Sequence, residues 1–140
     1  MTQENEELLL KDLCARLPYD VKIHAKCFDP DTNTEIEKVG VLSMIDTDTI
    51  VAFTTDDTNC YIYVTIHEIK PYLFPLSSMT NEQEKEFNQL LELELKAISD
   101  EINQAQVTAF EIDFYNKHHF DWRGLIPIGL ALDATGLNIY

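Results

Sequence analysis

Over residues 21–27 apolar side chains return at every second position, and from there to residue 69 three clusters of turn-forming residues cut an apolar, β-branched run into short pieces. Val21, Ile23, Ala25 and Cys27 alternate with Lys22, His24 and Lys26, the mark of a strand with one buried face. Asp29-Pro30-Asp31-Thr32-Asn33, Asp46-Thr47-Asp48 and Thr55-Asp56-Asp57-Thr58-Asn59 supply turn chemistry. The pieces between them predict strands over 36–45, 50–54 and 60–66, with Gly40 as a bulge or bend in the second. Four short strands joined by tight turns make an antiparallel meander over 21–70. A sheet that narrow must curl to bury a face, and the spacing suggests an SH3-like arrangement.

Helical periodicity flanks the meander. Leu10, Leu13, Cys14 and Leu17, widened by Leu8 and Leu9, predict an amphipathic helix over 3–17 that Pro18 ends. Glu4, Glu6 and Glu7 lie in its first turns, where the helix dipole favours anions. Residues 71–79, with Pro71 and Pro75, read as an irregular connector packed across the sheet. Thr80 and Gln83 then form a capping-box pair opening a long helix, whose apolar face is Phe87, Leu91, Leu95, Ile98 and Ile102. A further helix over 107–119 offers Ala109, Ile112 and Phe120 to the core, with Phe110 and Phe114 on a neighbouring stripe. Residues 120–140 are apolar but broken by Pro127 and Gly129, which predicts an irregular tail packed against the body. The expected fold is one α+β domain over 1–140: a curled four-strand antiparallel SH3-like sheet, an N-terminal helix and a C-terminal helical unit.

Composition narrows the function classes. A net charge of −15, with acids in excess both up to Lys70 (14 to 6) and beyond it (11 to 4), makes the surface broadly negative. Such a surface repels phosphate backbones and anionic membranes, so a protein partner, basic in character, is expected and nucleic acid is not. The acidic opening lacks the basic and then apolar pattern of a signal peptide, and no run is apolar enough to cross a bilayer. A cytoplasmic protein without membrane contact is the expectation. Cys14, Cys27 and Cys60 are widely spaced without a C-x-x-C pair, and all three read as buried apolar groups rather than ligands.

Residues 116–126 concentrate the candidate chemistry. They hold two of the four histidines, the only tryptophan and one of the two arginines, at a helix end running into a loop. His118, His119, Asp121, Trp122 and Arg123 are the candidate binding residues, Trp and Arg because they dominate interface hot spots. The cluster His118, His119 and Asp121, with Asp113 and Glu111 nearby, also permits metal ligation. However, the H-E-x-x-H spacing is absent and adjacent helical residues point about 100° apart, so no metal or cofactor is expected. Tyr61, Tyr63 and Tyr72 can form an aromatic cage for a cationic side chain. Glu82, Glu84, Glu86, Glu92, Glu94, Asp100 and Glu101 can form phosphate-like rows. No G-x-S-x-G elbow or glycine-rich phosphate loop occurs, and Ser77-Ser78 beside a helix start reads as a cap.

Two stretches, Lys70-Pro71-Tyr72-Leu73-Phe74-Pro75-Leu76-Ser77-Ser78-Met79-Thr80 and His118-His119-Phe120-Asp121-Trp122-Arg123-Gly124-Leu125-Ile126, resemble segments found in the same order in a family of small proteins from gut bacteria of the Bacteroides type and their prophages. That family has no assigned activity. The resemblance covers the chain from about Lys70 onward, with a weaker strand-rich match before it, and implies a phage or mobile-element setting, with no catalytic role attached. The expectation is therefore a non-enzymatic protein-binding accessory protein contacting its partner through 118–126. A metal-assisted hydrolase using His118, His119 and Asp121, and an acidic DNA-mimic inhibitor, are the alternatives.

Overall fold

Helix α1 (Gln3–Arg16) starts where Thr2 accepts a hydrogen bond from the Asn5 amide, and it gives way at Pro18 to a single 3-10 turn over Leu17–Tyr19. The computed structural model describes residues 1–57, 60–97 and 104–140. Strands β1 (Lys22–Asp29), β2 (Thr34–Ile45), β3 (Ile50–Thr54) and β4 (Ile62–Thr65) form the antiparallel meander that the alternation predicts. Ile23, Ala25, Cys27, Leu42, Val51, Phe53 and Val64 point from it into one core with Leu9 and Leu13 of α1.

The sheet does not stop at four strands. β5 (Ile69–Leu73) pairs antiparallel with β1, β6 (Leu132–Asp133) pairs parallel with β5, and the strand order is β4-β3-β2-β1-β5-β6. The first part of the expected connector is therefore a strand despite Pro71, and the 3-10 turn lies just before it, over Ile66–Glu68. Pro71 ends the short β1 pairing, opposite Ile23, where the absent N–H does least harm. The architecture is α+β: an N-terminal helix, a curled mixed six-strand sheet and two further helices.

Gly40 is a point of close approach rather than the bulge. A Cβ on it would collide with the Thr54 carbonyl oxygen and the Phe53 ring, so β2 can press onto β3 only with glycine there. The register shift falls two residues later, between Leu42 and Met44.

The buried stripe of α1 is rotated from the predicted one. Leu9, Asp12, Leu13 and Arg16 face inward, a full i, i+3, i+4, i+7 set, which turns Cys14 outward. Cys60, ahead of β4, is exposed as well, and only Cys27 is buried as expected.

Helix α2 (Asn81–Ala97) opens on the predicted capping box, with Thr80 N donating to Gln83 Oε1 at 2.9 Å and Gln83 N to Thr80 Oγ1 at 3.2 Å. Ser78 does not cap it; its hydroxyl donates to the Pro75 carbonyl. Helix α3 (Gln104–Lys117) meets α2 through Phe87, whose ring lies 5.5 Å from that of Phe110 and 5.0 Å from that of Phe114. Phe114, not Ala109, is the fully buried residue of this helix's apolar side, because Ala109 faces solvent. The predicted contributions of Ile98, Asp100, Glu101 and Ile102, and of Thr58 and Asn59 to their turn, lie outside the described residues.

Candidate functional site

The end of α3 sets the geometry of 116–126. The Phe120 amide donates to the Tyr115 carbonyl at 2.8 Å and the His119 amide to the Asn116 carbonyl at 3.2 Å, the paired bonds of a Schellman stop. The residue at its left-handed position is usually glycine, and here it is His119, at φ 62°. A non-glycine residue is held there by its side chain: the His119 ring stacks on Tyr140 with centroids 3.8 Å apart and planes 13° apart. Burial, then the Arg16 guanidinium, then His118 push the His119 pKa down to about 4, so the ring is neutral at pH 7.

Past the stop, the chain joins the sheet. Phe74 N donates to His119 O, and Asp121 N to Phe74 O, both at 2.8 Å, so 119–121 lie along the free side of the chain just beyond β5. Both Asp121 carboxylate oxygens accept backbone amides, from Leu125 at 2.7 Å and Ile126 at 2.9 Å. That closes a tight loop in which Gly124 takes φ +75°. Trp122 donates its indole N–H to Asn116 Oδ1 at 2.9 Å, and the Arg123 guanidinium lies 4.0 Å above its ring.

The centre of the segment is a charge cluster that sequence reasoning missed. Asp12 and Arg16 are both wholly buried, one turn apart on α1, with Arg16 Nε donating to Asp12 Oδ2 at 2.7 Å and Nη2 to Oδ1 at 3.1 Å. The same Nη2 donates to the Phe120 carbonyl at 2.6 Å, and Arg123 Nε sits 3.4 Å from Asp12 Oδ1. Both arginines of the chain therefore meet at one buried carboxylate. The signal was present in sequence, since Leu9-x-x-Asp12-Leu13-x-x-Arg16 is itself a helical stripe and Asp12 and Arg16 stand at i, i+4. It was hidden by the rule that buried positions are apolar.

The five candidate residues are thus neighbours in the fold, but their polar groups turn to different partners. His118 packs on Phe114 at 4.4 Å and points toward Glu86 of α2 at 3.7 Å, His119 toward Tyr140, and Asp121 toward its own loop. Among the described residues no three His, Cys, Asp or Glu side chains converge as a metal site. Trp122 and Arg123 keep a half-exposed edge. Of the acids proposed as phosphate-like rows, Glu82, Glu84, Glu86, Glu92 and Glu94 are exposed on α2. Glu84 lies two residues from Glu82 and from Glu86, on the other side of the helix, so the five do not fall in a single row.

A second surface is left open. The outer face of the β2–β4 hairpins holds the cross-strand row Met44–Ala52–Tyr63, and Ile50 sits beside Thr65 on the same face. Met44, Ile50, Tyr61 and Tyr63 are all exposed, the two tyrosines by 58% and 59%, while Tyr72 is buried and stands apart from them. Exposed Asp46 and Asp48 flank Ile50 in one turn, and exposed Asp56 and Asp57 precede Tyr61 in the next. Comparison with known proteins finds no family model, no curated protein and no solved structure that matches this chain. No helix among the described residues is long and apolar enough to cross a membrane.

Proposed function

We propose that the protein is a non-enzymatic accessory protein, of phage or mobile-element type, that binds a basic segment of another protein on the outer face of β2, β3 and β4. The observation that carries this reading is the exposure of Met44, Ile50 and Tyr63 on one sheet face, with exposed Tyr61 just ahead of β4, between two turns that each hold two aspartates. An apolar and aromatic patch rimmed by one sign of charge is the anatomy of a recognition surface, and tyrosine faces and carboxylates both suit lysine and arginine. The mobile-element setting rests on the likeness of the two segments described above. The clamp formed by His119, Asp121, Trp122 and Arg123 then serves the fold, and the contact moves from 118–126 to the sheet.

A pull-down from host lysate with wild type, Tyr61→Ser/Tyr63→Ser and Trp122→Ala tests the assignment. The expected partner is retained by wild type, lost by the tyrosine double variant, and weakened by salt because the aspartate rim contributes. Retention by the double variant, with loss in a folded Trp122→Ala protein, would return the contact to 118–126.

A further inference from the structure

Strand β4 ends the sheet on one side and β6 on the other. Folds blunt such edges, because a row of unpaired backbone groups recruits other chains. β6 is only two residues long and carries Asp133. β4 has no such protection. From Cys60 to Ile66 there is no charge, proline or glycine, and the run is aromatic and β-branched.

The register fixes which backbone groups of β4 are open. Ile66 N donates to Thr49 O at 3.0 Å, one step beyond the pair Ile50 and Thr65. Hydrogen-bonded pairs alternate along an antiparallel ladder, so Val64 and Ile62 bond to β3 while Tyr63 and Thr65 turn their amides and carbonyls outward. Two bonds agree with this. Thr65 N donates to Glu68 Oε2 at 2.8 Å, and Ile50 N donates to Asp46 Oδ1 at 2.9 Å rather than to β4. The Tyr63 N–H and C=O and the Thr65 C=O have no partner among the described residues.

Charge specifies what pairs there. From Val39 to Ile69 the chain has no lysine or arginine and five acids, Asp46, Asp48, Asp56, Asp57 and Glu68. Asp46 and Asp48 lie in the turn at one end of β4, and Asp56 and Asp57 in the turn at the other. A second copy of this chain would bring those acids against each other, whereas lysine and arginine side chains are drawn to them. Where the sheet curls, Ile62 of β4 comes opposite the end of β1, and the two strands do not pair. A cleft of about 360 Å³ lies there, lined by Cys27, Ile36 and Ile62 and by two aspartates, Asp29 and Asp31, against one lysine, Lys38. It leaves room for the inner side chains of an added strand.

We propose that the basic partner segment docks as a seventh strand on β4, its backbone bonded to Tyr63 and Thr65 and its basic side chains laid over Tyr63 toward the aspartate turns. This rests on the assignment of the β2–β4 face to a basic protein segment and adds the conformation of that segment. The test titrates the isotope-labelled full chain with acetyl-Lys-Val-Lys-Val-Lys-Val-Lys-amide and with two versions of it, N-methylated on lysines or on valines. A strand presents alternate amides to its two sides, so methylation blocks the bonds to β4 in one version and only outer amides in the other. The parent peptide binds saturably, with amide shifts at Tyr61, Tyr63 and Thr65 and about ten-fold slower exchange of the Tyr63 amide. One methylated version binds about ten-fold more weakly than the other: the lysine version for an antiparallel strand, the valine version for a parallel one. Equal affinity of the two versions, or no saturable shift at these residues, overturns the added strand. In the first case, weakening of the parent peptide by Tyr61→Ser/Tyr63→Ser shows that the face keeps its assignment while the strand falls. Protection of the Tyr63 amide that rises with protein concentration, without peptide, gives the edge to a second copy and also overturns the proposal.

Discussion

Helix α2 and the stretch 120–140 are similar in length but are attached in opposite ways. The described side chains of α2 are none of them fully buried, and its ring contacts among the described residues reach one neighbour, α3, through Phe87. The later stretch is bound to α1 through the Phe120 carbonyl and Arg16, to β5 through β6, and to β1 through Tyr140, whose hydroxyl accepts from Lys22 N and donates to Tyr72 O. Leu125, Leu130 and Ala131 enter the core directly. The difference follows from where backbone groups find partners. A helix satisfies its own amides and carbonyls and can rest on the surface by one edge. Irregular chain cannot, so the partners it borrows from distant elements fasten it at many points.

The contrast can be attacked at both ends. The largest effect belongs to Asp12→Ala, which strands two arginines at a buried site, and urea unfolding should register a loss of about 3–5 kcal/mol. A loss under about 1 kcal/mol would mean that water reaches the cluster and that the fastening lies elsewhere.

Acid comes second. The His119 pKa is lowered in the fold to about 4 from 6.5, so the unfolded chain binds the extra proton between those values. The stability tied to the neutral ring is fully present above pH 6.5 and is lost as pH falls toward 4. Discounted for solvent screening, the loss is about 2 kcal/mol. His119→Gln should remove that part of the pH profile, and an unchanged difference between wild type and variant from pH 7 to 4 would exclude His119 as its source.

Tyr140→Phe should cost about 1 kcal/mol by leaving Lys22 N and Tyr72 O without the hydroxyl. Leu93→Ala, at a residue 63% exposed on α2, should stay within about 0.5 kcal/mol. A larger loss there would show that α2 is held by more than α3, and would erase the contrast.

Local signals made α1, β1–β4 and α2 legible. Leucine spacing and Pro18 mark the first, alternation marks the strands, and Thr80 with Gln83 opens the third. What escaped was settled by chain distant in sequence. β5 is interrupted by proline and is a strand because β1 and β6 lie beside it, and β6 is two residues of parallel pairing with no pattern of its own. The candidate site was legible as a concentration of unusual residues. Its direction was not, because the partner that turns Arg123 inward is an aspartate on the first helix that reads as surface. Of the open sheet face, sequence offered only Tyr61 and Tyr63, grouped with the buried Tyr72; the register is what sets Met44 and Ile50 on the same side as Tyr63.

The Arg16–Phe120 bond also sets an order of events. The two residues stand 104 positions apart, so a ribosome adding roughly 5–20 residues per second makes the carbonyl about 5–20 s after the guanidinium. Until then Arg16 can hold Asp12 along α1, but its third hydrogen bond has no acceptor in the nascent chain. Seating the helix early would seal a charge away half-matched. The N-terminal helix is therefore the first element made, while the acceptor of its third hydrogen bond is made 104 residues later.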